Sequence, residues 1–331
     1  MKVTVLGDGA MGTACAILVG SKPEHPVTIW SAFPEQARVM QSLRENVKFL
    51  PGVPIPDGIV VTGDAHGACS GGELFVAAIP TVYLRNTLSR IREAIPELVP
   101  FVSIIKGIEN ETFERPSQII QDVVGARPLA VLSGPSHAEE ISRNLPASVV
   151  AASTDMELAR RVQALFTTAR FRVYTNPDVV GVELAAALKN VIGIAAGICD
   201  GLGFGDNAKS ALLTRGLVEM RRFGVALGAR PETFTGLAGI GDLITTCISR
   251  HGRNRRVGEA LGQGRTLDEI LAHMQAVAEG VWTCRAVHNQ ARRLGIELPI
   301  TAEIYRVLFE KKSPLEAVND LMLRELKSEL E

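Results

Sequence analysis

Aromatic side chains are scarce: 2 Trp, 3 Tyr and 11 Phe make up 5% of 331 residues, which leaves little for stacking on nucleic-acid bases. Net charge is also nearly absent. With 35 Lys and Arg against 36 Asp and Glu, the formal value is -1, so no overall field holds a polyanion such as DNA or an acidic membrane. Any bound anion must meet a local site. The cysteines, Cys15, Cys69, Cys199, Cys247 and Cys284, are odd in number and never form a CxxC pair. That pattern suggests neither a disulfide framework nor a zinc centre, and it fits a reducing cytoplasm. No metal is expected. Long apolar runs are missing too. Leu74 to Leu84 is the longest clear one and Lys189 interrupts the next, so no helix of the roughly 18 or more apolar residues that a bilayer needs is expected. Asp8 and the glycines beside it break the apolar start Met1 to Leu6 before a secretory signal is complete.

What is present is length and a change of pattern. A chain of 331 residues, 46% hydrophobic and 21% charged, suggests two packed domains. The first half alternates short Val/Ile runs with helical stretches. Strands are expected at Lys2 to Leu6, Val27 to Trp30, Leu74 to Ala78, Phe101 to Ile105 and Leu129 to Leu132, with Arg172 to Tyr174 as a possible last one. Strands alternating with helices imply a mainly parallel, doubly wound sheet covered on both faces. From Gly181 onward the pattern is helix after helix. The expected architecture is α/β, an N-terminal Rossmann-type domain over residues 1–178 followed by an all-helical domain over residues 179–331.

The strongest local motif is Gly7-Asp8-Gly9-Ala10-Met11-Gly12, directly after the first strand and opening a helix. Gly7 permits the tight turn, Gly9 lets backbone approach a pyrophosphate, and Gly12 lets the helix lie close to the sheet. At the end of the second strand, where NAD-specific proteins usually carry an acid, stands Ser31-Ala32-Phe33. This supplies neither the acid nor an adjacent Arg, and Glu35 and Arg38 pull in opposite directions, so the choice between NAD and NADP is open. Polar turns after later strands, at Ile79-Pro80-Thr81, at Lys106-Gly107-Ile108-Glu109 and around Gly134, Ser136 and His137, should gather along one sheet edge. His137 has no partner at HxxxH spacing, so a structural histidine is favoured over a metal ligand.

In the apolar stretch Glu183 to Asp200, the strongly polar side chains before Asp200 are Glu183, Lys189 and Asn190. Lysine held among Ala, Leu, Val and Ile loses hydration, which lowers its pKa and lets it exchange a proton near neutral pH. The alternative is a lysine snorkelling to water. Asp242 follows the Gly-rich turn Gly236 to Gly241 and either caps the next helix or orients a catalytic lysine. Four arginines fall between Arg250 and Arg256. Without aromatic interleaving or a wider basic face, a small phosphate-bearing ligand fits them better than nucleic acid.

These motifs occur in a familiar order. The glycine loop, Asn46 to Gly52, Lys106 to Glu109, Ser133 to Ser136, Leu188-Lys189-Asn190, Gly239 to Leu243 and Arg253-Asn254-Arg255 together resemble the bacterial NAD(P)-dependent glycerol-3-phosphate dehydrogenase family, essentially end to end. The resemblance implies interconversion of sn-glycerol 3-phosphate and dihydroxyacetone phosphate, serving phospholipid synthesis. It implies Lys189 as proton acceptor and donor at C2, with Lys106, Asp242 and Asn190 around it. It implies substrate contacts from Gly134, Ser136, Thr246, Arg253 and Asn254, besides Lys106, Lys189 and Asp242. Cofactor contacts would come from Gly7, Gly9, Ala10, Met11, Gly12, Lys106, Ala138, Arg253, Val277 and Glu279. A cytoplasmic homodimer is the family expectation. Two positions depart from the bacterial pattern: Ser31-Ala32, where an Arg often follows Trp30, and Gly252, where Ser often stands. Another two-domain dehydrogenase acting on a hydroxy acid is the alternative. It would share the glycine loop and the helical lysine but need not have Asp242 or Arg253-Asn254.

Overall fold

The computed structural model describes residues 1–249, 252–274, 278–326 and 328–329. Ten strands are described: β1 Val3–Leu6, β2 Val27–Trp30, β3 Glu45–Asn46, β4 Leu50–Pro54, β5 Ile59–Thr62, β6 Leu74–Ala77, β7 Phe101–Ser103, β8 Leu129–Ser133, β9 Ala147–Ala152 and β10 Phe171–Asn176. Between them lie helices α1 Ala10–Gly20, α2 Pro34–Leu43, α3 Ala65–Cys69, α4 Thr81–Ile91, α5 Pro116–Val124, α6 Ala138–Ile141 and α7 Met156–Phe166. The later chain forms α8 Val179–Gly201, α9 Asp206–Ala226, α10 Asp242–Ile248, α11 Arg253–Gly262, α12 Leu267–Ala272, α13 Glu279–Leu294, α14 Pro299–Phe309 and α15 Pro314–Met322.

Among the described residues, eight strands form one sheet in the order β10-β9-β8-β7-β6-β1-β2-β5. Every residue of β1, β2, β6 and β8 is buried, as central strands of a two-sided sheet must be, and that is why they read as unbroken apolar runs. One apolar core holds Ala14, Met40, Val162 and Phe166 on one face of the sheet. Another holds Leu84, Leu88, Ile119 and Ile120 on the other.

The sheet is mainly parallel, as expected, with one antiparallel pairing, β9 against β8. Strands β5 and β9 and the β3-β4 hairpin were not expected. Strand β5 is a short edge strand with Val60 outward, and β9, Ala-Ser-Val-Val-Ala-Ala, has as much helical as strand character in its composition. One expectation is corrected: α8 has 23 residues and an 18-residue window of mean hydropathy 1.7, long and apolar enough to cross a membrane despite Lys189, and 89% of that window is buried inside the fold. Its apolarity comes from being the axis of the helical half, with α9, α10, α11 and α13 packed around it.

Two features place α8 and its neighbours. Asp178 caps α8 by accepting from the Gly181 N–H at 2.8 Å, and its other oxygen accepts from the Arg230 N–H at 2.8 Å and the Thr233 hydroxyl at 2.7 Å. Helices α8 and α11 cross with their backbones in contact. A Cβ on Gly197 would lie 1.9 Å from the Arg255 carbonyl oxygen, and one on Gly258 would lie 1.9 Å from that of Ile194. This crossing brings the start of α11 beside the polar residues of α8.

Candidate active site

The sheet reverses its winding between β1 and β6, the point where open α/β sheets leave a crevice for ligands. The loop after β1 is shaped for one. Gly7 has φ +119°, and a Cβ there would meet the Ala78 carbonyl oxygen at 2.7 Å. Gly12 would place a Cβ 2.3 Å from the Gly7 carbonyl oxygen. Gly9 differs, since a Cβ built on it meets nothing within 4 Å, and as N-cap of α1 it offers no side chain to the first N–H groups. Gly7 and Gly12 therefore close the turn onto the sheet, while Gly9 opens backbone donors to an anion at the helix start. Ala10 and Met11 form that helix's first turn. The cradle fits a dinucleotide pyrophosphate.

A second cluster stands at the carboxyl edge of β7 and β8. Lys106, just beyond β7, donates from Nζ to the Gly134 carbonyl oxygen at 2.8 Å, the Ser136 hydroxyl at 3.1 Å and Asp242 Oδ2 at 2.8 Å. From α8, Lys189 Nζ donates to Asp242 Oδ1 at 2.8 Å and to the Thr246 hydroxyl at 2.6 Å. One carboxylate thus holds two ammonium groups, one from each half of the chain. Its position follows from the glycines before it: Leu237–Gly241 forms a π-helical turn running into α10, and the Asp242 side chain points at the lysines instead of capping. Asn190, one residue after Lys189, donates from Nδ2 to the Lys106 backbone carbonyl at 2.8 Å. It fixes the chain on which Lys106 stands.

The electrostatics follow from burial. Lys189 and Asp242 are 6% and 2% exposed. Burial pushes the Lys189 ammonium down, against the Asp242 carboxylate and aided by the Lys106 charge, to about 8. Burial alone would raise Asp242, but the two ammonium groups outweigh it and hold its carboxyl below the ordinary value. His137 lies below its usual value through burial, with Lys189 the next cause. It is the N-cap residue of α6, whose first residue is Ala138.

The other expected residues surround this centre. Arg253 is the exposed first residue of α11, after the N-cap Gly252. The Gly252 N–H donates to the Ser249 carbonyl at 3.3 Å. Asn254 Oδ1 accepts from the Gly280 N–H at 3.0 Å, tying α11 to α13. Arg255 turns away and pairs with Asp200 at 2.6 Å. Glu279, at the start of α13, accepts from the Thr81 N–H at 2.8 Å and its hydroxyl at 2.9 Å, so it meets the loop after β6. Thr81 ends the polar Ile79-Pro80-Thr81 turn, and no local sequence signal pairs it with Glu279. Val277 lies outside the described residues. Glu35 and Arg38, expected to compete at the ribose end, are exposed and paired with each other. Glu183 serves a structural end: it accepts from the Ser117 N–H at 2.8 Å and from the Ser117 hydroxyl and Arg115, both at 2.6 Å.

A doubly wound sheet with a switch-point glycine cradle, joined to a helical bundle, defines a two-domain nicotinamide-dependent dehydrogenase architecture. The family models agree: "NAD-dependent glycerol-3-phosphate dehydrogenase N-terminus" matches residues 2–159 and its C-terminal counterpart matches residues 178–319. The chain belongs to the NAD-dependent glycerol-3-phosphate dehydrogenase family. A glycerol-3-phosphate dehydrogenase [NAD(P)+] of Chlorobium phaeobacteroides is 50% identical over 333 residues, covering 100% of this chain and 99% of that protein. Another from Pelotomaculum thermopropionicum is also 50% identical, covering 100% and 95%. The crystal structure of glycerol-3-phosphate dehydrogenase from Coxiella burnetii superposes with a TM-score of 0.94 at 35% identity, over 98% of this chain and 99% of that one. A D-mandelate dehydrogenase shares the fold alone, at 12% identity and a TM-score of 0.65.

Proposed function

We propose that the chain interconverts sn-glycerol 3-phosphate and dihydroxyacetone phosphate, with Lys189 moving the proton at the C2 oxygen. The observation that carries this is the buried Lys189–Asp242–Lys106 cluster at the sheet edge. A bound NAD(P) supplies the hydride acceptor or donor for C2. Every other step belongs to the protein. Neutral Lys189 takes the hydroxyl proton in oxidation and charged Lys189 returns it in reduction. Asp242 holds both lysines in place and keeps the cluster at one net positive charge when Lys189 is protonated, a field that favours a developing C2 alkoxide. Lys106 and Thr246 stand where they can orient the substrate oxygens.

In this reading residues 1–178 hold the dinucleotide through Gly7, Gly9, Ala10, Met11 and Gly12, with Ala138 beside it. Residues 179–331 complete the substrate site. Arg253, exposed at the first turn of α11, supplies a planar fork for the substrate phosphate, with Gly134, Ser136 and Asn254 bordering the same space. Glu279 acts by holding Thr81 in the loop after β6. We further propose a cytoplasmic homodimer that acts without nucleic-acid or membrane partners, in keeping with a role in glycerol 3-phosphate supply for phospholipids. The test is NAD(P)H oxidation with dihydroxyacetone phosphate beside a panel of keto acids, run with both nicotinamides. Turnover should be confined to the phosphorylated ketone, and turnover of a keto acid in preference to it would restore the hydroxy-acid alternative.

A further inference from the structure

Strand β2 ends without an acid, yet a buried carboxylate stands beside its end. Asp8 lies between Gly7 and Gly9 in the loop after β1 and is 8% exposed. Ser31, the residue that follows β2, donates its hydroxyl to Asp8 Oδ2 at 2.8 Å. The same hydroxyl accepts from the Phe33 N–H at 3.1 Å. The Asp8 carbonyl is also held, accepting from Asn46 Nδ2 at 2.7 Å, and that amide donates to the Thr13 hydroxyl at 2.8 Å as well. Asp8 is therefore fixed at backbone and side chain between the glycine cradle and the end of the second strand. In a doubly wound sheet the pyrophosphate lies at the first helix and the adenosine ribose at the end of β2. Asp8 borders both.

We propose that Asp8 selects NAD over NADP, supplying from the β1 loop the acceptor for the ribose 2'-hydroxyl that β2 lacks. This inference rests on the cradle being the dinucleotide site. A carboxylate has about four acceptor positions, and the Ser31 hydroxyl and the Asp8 backbone N–H occupy two, so capacity remains for a hydroxyl donor. Facing a 2'-phosphate, the same carboxylate, itself 8% exposed, sets negative charge against a dianion where water screens poorly. The cations nearby do not reverse this. Arg38 is exposed and paired with Glu35, and Lys48, which also acts on the Asp8 charge, is an exposed side chain lying over the Phe49 ring at 4.9 Å.

The experiment is fluorescence titration of NADH and NADPH, without substrate, on the wild type, Asp8→Asn and Asp8→Ala, with steady-state kinetics in parallel. Asn keeps the shape and can still accept from Ser31 while losing the charge, and circular dichroism checks that each variant folds. The wild type should bind NADH more tightly. In Asp8→Asn the NADH dissociation constant should rise by about tenfold, the loss of one hydrogen bond to a charged group, while NADPH tightens, so the ratio between them shifts by more than tenfold toward NADPH. A folded Asp8→Asn or Asp8→Ala that binds both nucleotides with the wild-type ratio overturns the assignment of Asp8 and leaves the cradle standing. A wild type that binds neither nucleotide overturns the cradle itself, and this inference with it.

Discussion

The two halves of the site are built by opposite means. The dinucleotide cradle is made by leaving side chains out: Gly7 and Gly12 admit backbone contacts that any Cβ would block, and Gly9 leaves open space. The centre proposed for proton transfer is made by putting charge in, with Lys106 and Lys189 each joined to Asp242 at 2.8 Å. Substitutions in the cradle should therefore act through shape, sparing the chemistry of whatever still binds. Substitutions in the lysine centre should act through charge and protonation, sparing nucleotide affinity.

The largest expected effect is on the charged half. Lys189→Met keeps volume and removes the exchangeable proton, so turnover should fall by about a hundred- to ten-thousandfold while NAD(P)H titration stays near wild type. A drop below about fivefold would remove Lys189 from proton transfer. Asp242→Asn comes next. It leaves two ammonium groups facing each other without their shared partner, and breaking such a buried pair costs about 3–5 kcal/mol of stability, readable by chemical denaturation. It also takes away the group that raises the Lys189 pKa, so the pH midpoint of any remaining activity should move below about 8; an unmoved midpoint would show that Asp242 does not tune the lysine.

Smaller effects are expected at the edge of the centre and in the cradle. Arg253→Ala should weaken use of dihydroxyacetone phosphate by about 1.5–3 kcal/mol per lost charged hydrogen bond, and affect unphosphorylated dihydroxyacetone much less. Arg253→Lys, which keeps charge but not the fork, should recover only part. Equal losses on both ketones, after correction for NAD(P)H affinity, would take phosphate recognition from Arg253. In the cradle, Gly9→Val should leave the melting temperature unchanged and weaken NADH and NADPH together by about tenfold, ~1.4 kcal/mol. Gly12→Ala should destabilise the fold itself by about 1–3 kcal/mol, the cost of overpacking. If Gly9→Val destabilises instead and Gly12→Ala does not, the cradle is misread.

The same contrast explains what the sequence disclosed. The cradle was legible because its residues are consecutive and its requirements are local: a buried strand, three glycines at fixed spacing and a helix start. The charged centre was legible only as anomalies, a lysine in an apolar helix and an acid after a run of glycines. Nothing local says that Lys106 and Lys189 share the Asp242 carboxylate, since that contact forms only when α8 and α10 pack against the sheet edge. The family resemblance joined those residues before the fold did. Strand β9 and the edge strand β5 escaped notice because their composition is ambiguous and their pairing is set by neighbours far along the chain. Thr81 and Glu279 meet across 198 positions, and no spacing rule reaches that far. Asp8 stands inside a motif whose spacing is set by glycine alone, and its bond to Ser31 spans 23 positions.

The central claim is that burial and two charged neighbours bring Lys189 into the range where it can both take and give a proton. The direct measurement is kcat/KM from pH 7 to 10, above the phosphate titration, in both directions of the reaction with wild type and Lys189→Arg. With the Lys189 pKa near about 8, oxidation of glycerol 3-phosphate needs the neutral amine and should rise through that pH. Reduction of dihydroxyacetone phosphate needs the ammonium and should fall through it, and Lys189→Arg, charged throughout, should lose the oxidation limb. Profiles that run flat, that move in the same direction for both reactions, or that survive unchanged in Lys189→Arg would contradict the account.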